Sequence, residues 1–360
     1  MSLRHGFTTG TAASAAAKAA TWHLLTGQND FQQDTPLPVG TRLQIPILEI
    51  EATRQGVMAA VLKDAGDDPD VTHGAIIRAL VRHHSIYTLT GGSGVGVVTR
   101  PGLPVAVGEA AINPAPRQQI RQAVQEAWEA AGLLGPAKVH IEIKVDEGEE
   151  LAHQTFNPRL GIVGGISILG TRGTVKPFSH AAYQATIRQC LDVMQASGET
   201  RPCLTTGGRS ERFLRRLLPD IAEQSCVQVA DFFAFAMREA ARRGFREVLW
   251  AVFFGKLVKQ AQGNRYTHAR SAELDFSVLA DWCAQCGMDA STCADVTSAN
   301  TAMQIQEFLS EHPLAPALYT LLTSRATNFA RQFARASHGL RVRYLLFDFS
   351  GKLLHDGSEA

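Results

Sequence analysis

In the second half of the chain, short and nearly continuous apolar runs alternate with amphipathic stretches. Few folds accommodate that pattern. The runs span 160–169, 203–206, 227–230, 248–254 and 342–349. Helical periodicity fits 179–196, 209–218, 232–243, 256–262, 275–286, 299–311 and 316–336. A strand that is apolar without alternating is buried on both faces, as in a parallel sheet covered by helices. Ligands of such sheets sit beyond the carboxyl ends of the strands, where this chain carries GTRGTV, TTGGRSE and FFGKLVK. The expectation for residues 151–360 is therefore a Rossmann-like α/β domain with a mostly parallel sheet and glycine-rich strand ends.

Residues 1–150 read instead as an α+β domain, which makes the chain an α/β protein of two lobes. Thr8-Thr9-Gly10 leads into an alanine-rich run through Leu25, a helix with a threonine cap and Gly27 as its stop. Residues 41–50 and 55–63 alternate as two paired strands. The stretch 72–82 reads as a helix, with Asp70 and Thr72 as available caps. A glycine-rich segment, TGGSGVGVVTRPG, follows, then a helix over 116–131 and an alternating strand over 139–145. The acidic stretch Glu147 to Glu150 reads as an exposed connection and marks the expected boundary.

At 360 residues the chain is long enough for two full cores, and its 45% hydrophobic and 19% charged residues suit a globular protein that buries well. A formal net charge of +1 argues against a nucleic-acid partner. The start, MSLRHGFTTG, has no apolar leader, and no run approaches the roughly 18 apolar residues of a membrane span, so a cytoplasmic protein is expected. The six cysteines are too sparse for a disulfide scaffold. Cys283-Ala284-Gln285-Cys286 closes a helical run rather than opening one, and no fourth cysteine or nearby histidine completes a zinc site with Cys293. No metal ligands are assigned.

The densest chemistry lies in DAGDDPDVTH, residues 64–73. Asp64, Asp67, Asp68 and Asp70 repel one another, so basic side chains, helix N-termini, a metal or a ligand must compensate them. A capping role accounts for one aspartate; a functional loop accounts for all of them and for His73. Gly91-Gly92-Ser93-Gly94-Val95-Gly96 offers backbone amides to an anion or cofactor, although a glycine-rich hairpin explains it equally well. It matches neither a dinucleotide fingerprint nor a P-loop. In residues 160–171, glycines 161, 164, 165 and 170 interrupt an apolar pattern at a cost of about 0.5–1 kcal/mol each, which points to close backbone approach by a ligand or another element. Arg159, just before it, offers a guanidinium to a carboxylate. Lys256 falls where a buried strand becomes a helix, a suitable place for an anionic group. His268, in the loop beyond, is either a site residue or a solvated loop histidine.

Together these segments resemble the CbiD family, the cobalt-precorrin-5B C1-methyltransferases of the anaerobic route to cobalamin. The matching stretches are RHGFTTGTAASAAAKAA, KDAGDDPDVTHG, TGGSGVGVVTRPGL, VGEAAINPAPR, FNPRLGIVGGISILGTRGTV and FFGKLVKQAQGNRYTH. They run in family order from about residue 4 to 268. Ala12 stands where the family often has cysteine, and Arg172 and Ala269 also depart from its pattern. The resemblance implies transfer of a methyl group from S-adenosylmethionine to a ring carbon of a corrinoid substrate, which brings its own cobalt. It implies that Thr8, Thr9, Arg100, Arg159, Lys256 and His268 serve the carboxylate arms of that substrate. The methyl donor would lie against Gly91, Gly92, Gly94, Gly164, Gly165, Ser167, Thr206 and Gly207. Asp64, Asp67, Asp68 and His73 would act as general base or electrostatic partner. A homodimer, and transient contact with other enzymes of the pathway, fit the same reading. A tetrapyrrole carrier without catalysis, or a nucleotide-dependent kinase or ligase, are the other classes open to the sequence.

Overall fold

A computed structural model of the chain describes residues 3–335 and 339–357, and they form two compact units that divide between His180 and Ala181. The first unit begins with strand β1 (Gly6–Phe7) and helix α1 (Thr9–Thr26). Strands β2 (Gln32–Pro36), β3 (Arg42–Pro46), β4 (Glu49–Thr53), β5 (Gly56–Leu62), β6 (Ile76–His83) and β7 (Thr88–Gly91) follow. Short strands β8 (Gly94–Val95) and β9 (Val97–Val98) precede helix α2 (Pro114–Ala130), strand β10 (Val139–Val145) and helix α3 (Gly148–Ala152). Strands β11 (Ile162–Val163), β12 (Gly165–Ile166) and β13 (Thr174–Val175) end the unit.

A five-stranded sheet in the order β4-β5-β6-β10-β7 carries the first core. Helix α1 packs on β5 and β6 and also on α2. A helix covered on so many sides needs small residues, and Ala12, Ala13, Ala15, Ala16, Ala17, Ala19 and Ala20 are all buried. Thr8 caps it, accepting from the Thr11 amide, and Gly27 stops it in the left-handed conformation.

Four expectations for this unit are corrected. Residues 76–83 form a strand, not a helix: they pair with β5 and β10 over their whole length. Ile76, Ile77 and Val81 are β-branched and suit a pleated surface between two neighbours. Asp70 therefore caps no helix. The segment 147–152 contains α3 rather than the connection between units, and residues 151–180 stay with the first unit. The run 160–169 joins no sheet in the second half: β11 pairs with β9 and β12 with β8. The expected strand 41–50 is interrupted at Ile47–Leu48; its first part pairs with β2 and its second with β5.

The second unit contains α4 (His180–Ala196, its first residue belonging to the unit before), β14 (Cys203–Thr205), α5 (Gly208–Leu217), β15 (Cys226–Gln228) and α6 (Phe233–Arg242). It continues with β16 (Glu247–Phe253), α7 (Phe254–Ala261), α8 (Phe276–Gln285), α9 (Ala290–Ser298), α10 (Ala302–Leu309) and α11 (Ala315–Ala334). Strands β17 (Arg341–Phe347) and β18 (Leu353–Gly357) complete it. Its sheet has the order β15-β14-β16-β17-β18, parallel except for the last pair. The continuous apolar strands are buried as their composition requires, β16 through Val248, Leu249, Trp250, Ala251 and Val252. Residue 336, the expected end of the last helix, lies outside the described residues, and α9 falls in a stretch for which no helix was expected.

Candidate functional site

The aspartate loop follows β5 in the first unit, and each of its carboxylates is met by the fold. Asp64 accepts from both terminal guanidinium nitrogens of Arg4, Nη2 at 3.0 Å, and from the Gly66 amide at 2.9 Å. Asp67 accepts the Arg4 backbone amide at 2.7 Å, and Asp68 accepts that of Phe178 at 2.8 Å. Asp70 receives the ammonium of Lys63 at 2.6 Å and both the amide and the hydroxyl of Thr72 at 2.8 Å. The Arg4 hydrogen bond holds the Asp64 carboxyl below its ordinary range. Burial works against the Asp70 carboxylate, but the Lys63 charge and the Thr72 donors outweigh it and lower its pKa as well.

His73 is exposed beside this cluster. Its Nδ1 lies 3.8 Å from Asp64 Oδ1 and accepts the Ala65 amide at 3.1 Å. With the Nδ1 lone pair engaged, the neutral ring carries its proton on Nε2, which can donate but not accept. Asp64, Asp67, Asp68 and His73 thus occupy one loop, tied to the start of the chain by Arg4 and by the bridge between His5 and Gly66. Among the described residues, no group of three or more His, Cys, Asp or Glu side chains is placed to hold a metal ion.

The other candidates of the first unit are mostly committed to packing. Thr8 and Thr9 are buried; the Thr9 hydroxyl donates to Ser167 and Leu169 carbonyls at 3.2 Å and accepts the Leu169 amide at 2.9 Å. Ser167 donates to Asn157 Oδ1 at 3.2 Å. A methyl group on Gly94 would stand 2.0 Å from the Val145 carbonyl oxygen, and one on Gly165 2.2 Å from Gly94 backbone. A methyl group on Gly91 would meet Ala110 at 2.7 Å, and one on Gly92 would meet Glu142 at 2.4 Å. Close approach is therefore real, but the approaching groups belong to the protein. Gly164 differs, being exposed and left-handed with open space around it. The Arg100 guanidinium donates to the Arg159 carbonyl at 3.2 Å, and its aliphatic stem covers Gly161.

The second unit holds a cavity of about 520 Å³ at the carboxyl ends of β14 and β16. Chain order explains its place. The path runs from β14 to β15 on one side, then crosses to β16 on the other, so the two connections diverge and leave a crevice. Thr206 and Gly207 line the cavity from the β14 side, and Lys256 lines it from the β16 side. His268 does not line it, although its neighbours Thr267 and Ala269 do; its ring stacks on Tyr266. Lys256 is ion-paired with Asp231. Burial, and then the charge of Lys259, push Lys256 down to about 8, against the pull of Asp231 toward the charged form.

Several contributors to this cavity were not foreseen, Lys259, Gln306 and Phe349 among them. Lys259 is one turn along α7 from Lys256 and 9% exposed, which its spacing could have signalled. Gln306 arrives from α10 and Phe349 from beyond β17, and no local pattern marks either. The cysteines lie elsewhere: burial raises Cys283 to about 12, as befits an inert interior thiol.

Mixed α/β architecture with a ligand-sized cavity at a divergence of parallel strands defines the class. The chain belongs to the CbiD family: that family's model matches residues 1–177, and the model of the CbiD C-terminal domain matches 266–358. The likeness thus extends well past residue 268, where the quoted motifs stop. The chain is 48% identical over 359 residues to a cobalt-precorrin-5B C(1)-methyltransferase of Nitratidesulfovibrio vulgaris, covering 97% of this chain and 91% of that protein. It is 46% identical over 311 residues to the protein of that name from Geobacillus kaustophilus, covering 86% and 83%. The crystal structure of a cobalamin biosynthesis protein, CbiD, from Archaeoglobus fulgidus matches with 30% identity and a TM-score of 0.42, over 72% of this chain and 80% of that one.

Proposed function

We propose that this protein methylates ring carbon C1 of cobalt-precorrin-5B, giving cobalt-precorrin-6A in anaerobic cobalamin biosynthesis, with S-adenosylmethionine as the donor. The observation that carries the reading is 48% identity along nearly the whole of both chains to a methyltransferase of that name. The cobalt arrives with the substrate, and the cytoplasm is the compartment expected for the reaction. No helix among the described residues is long and apolar enough to cross a membrane.

The second unit is the Rossmann-like lobe of this reading, and its crevice is the donor site. The fit rests on size and on the backbone: a cavity of about 520 Å³ suits a nucleoside-sized molecule, and Gly207 leaves open the space a side chain would fill. The donor, when bound, supplies an electrophilic methyl carbon on sulfonium. The protein's part is to fix the distance and line of approach between that carbon and the ring carbon, which requires no nucleophilic side chain. In the first unit, Arg100 and Arg159 are the cations offered to the substrate's carboxylate arms. Asp64, held ionised by Arg4, and His73, donating through Nε2, are the groups for charge that develops on the macrocycle. The geometry favours an electrostatic role for this pair over proton abstraction by His73.

The test is a single-turnover assay with methyl-labelled S-adenosylmethionine and cobalt-precorrin-5B. Label in the corrinoid is the expected result; tight corrinoid binding without label would make the protein a carrier. In the same assay, Asp64→Asn is expected to lower the rate about tenfold to a hundredfold with the fold intact by circular dichroism. An unchanged rate would remove the loop from the chemistry.

A further inference from the structure

The first turns of three helices, α5 at Gly208, α7 at Gly255 and α10 at Ala302, all line the cavity of the second unit. Each brings the positive end of its dipole and backbone N–H groups left without helical partners. Lys256, Lys259 and Arg209 line it too, and among the described residues no aspartate or glutamate does; Asp231, the partner of Lys256, lies outside the lining. Lys256 has Asp231 as its counter-ion, whereas Lys259 meets the Thr267 carbonyl oxygen at 3.4 Å, a poor substitute for one. Gln306 supplies an independent signal. Its side chain is 6% exposed and lines the cavity, yet its Oε1 has no hydrogen-bond partner. A buried amide oxygen without a partner is destabilising unless a ligand supplies a donor. On the remaining wall, the rings of Phe253 and Phe349 stack at 4.8 Å and offer an apolar face.

An anion site, a separate acceptor and an aromatic wall specify a ligand with a carboxylate, an N–H donor and a flat or apolar part. We propose that the cavity holds the methyl donor by its amino-acid end, with the carboxylate against Lys256, Lys259 and the helix amides, and the α-ammonium against Gln306 Oε1. This rests on the donor reading above and adds the orientation. It reassigns Lys256 from the arms of the macrocycle to the donor. A carboxylate arm of the corrinoid could satisfy the lysines but has no N–H group for Gln306. Burial lowers the pKa of both lysines, and since Lys256 already pairs with Asp231, an arriving carboxylate would above all stabilise the Lys259 charge.

The experiment is calorimetric titration of the full-length protein with S-adenosylhomocysteine and with 5′-methylthioadenosine, which keeps the nucleoside thioether and lacks the amino-acid end. Both are run with and without cobyrinic acid as a corrinoid. The wild type is expected to bind S-adenosylhomocysteine the more tightly of the two. Lys259→Met and Gln306→Leu should each weaken that binding about tenfold or more, the scale of a lost charge-assisted hydrogen bond, and leave methylthioadenosine unchanged. Retained methylthioadenosine binding shows that the variants are folded. Gln306→Glu should tighten S-adenosylhomocysteine if the oxygen faces the ammonium, and weaken it if it faces the carboxylate, which overturns the orientation. Equal binding of the two ligands by the wild type, or variants that leave S-adenosylhomocysteine unchanged, also overturn it while the donor reading stands. Binding of neither ligand under any condition overturns both.

Discussion

Lys63 carries an ammonium to a place that is 1% exposed, and Asp70 is its salt-bridge partner. Removing the lysine leaves a half-buried carboxylate with only Thr72 donors, so Lys63→Met is expected to cost about 1–3 kcal/mol at neutral pH, measured by denaturant unfolding. The Asp70 pKa is lowered in the folded state, so its contribution is present above the unfolded carboxylate value and is lost as pH falls through the folded one. The gap between wild type and variant should therefore close in acid. The glycines give a second test. Gly165→Ala forces a methyl group to 2.2 Å from Gly94 backbone and should cost about 1–3 kcal/mol, whereas Gly164→Ala meets open space and should cost about 1 kcal/mol for its left-handed backbone alone. Thermal unfolding separates the two. The sequence showed that the loop carboxylates needed compensation and that the glycines marked close approach. It could not show that Arg4, Lys63 and the Phe178 amide were the compensation, because those partners are set by tertiary pairing.

Among the elements, Glu126 on α2 ties three together: it accepts from Lys18 of α1 at 2.7 Å and from both terminal nitrogens of Arg42 on β3. Burial opposes the carboxylate, yet these donors bring it down to about 2. Glu126→Gln should lose about 1–2 kcal/mol near neutral pH after allowance for solvent screening, with the loss fading as pH falls from the ordinary carboxylate range toward 2. Urea titrations at several pH values measure it. Elements with a clear pattern or cap were legible: α1 by its Thr8 cap and Gly27 stop, α2 and β10 by their periodicity, and the helices of the second unit except α9. The strand β6 was misread because Gly74 to Val81 offers apolar residues at helical as well as strand spacing, and only its neighbours β5 and β10 decide between them. The run 160–169 was misplaced for a related reason: glycines let it bend into two short strands, and nothing local names their partners.

For the molecule as a whole, the carboxyl-end rule pointed to TTGGRSE and FFGKLVK, whose Thr206, Gly207 and Lys256 the structure brings to one cavity, while GTRGTV follows no strand of this sheet. The boundary was less legible, since the acidic stretch near 150 resembles a linker and the true division at His180 lies at the start of a regular helix. That later boundary has a consequence for the first unit. Its opening residues are held by its closing ones: β1 pairs with β13, the Thr8 amide donates to the Gly173 carbonyl at 3.0 Å, and Asp68 takes the Phe178 amide. A fragment of residues 1–180 is expected to unfold cooperatively in a thermal melt, and one ending at 160 is not. On the ribosome, the earliest residues made must wait for nearly the last of their unit, so the loop bearing Asp64 and His73 is completed late, by contacts across most of the unit's length.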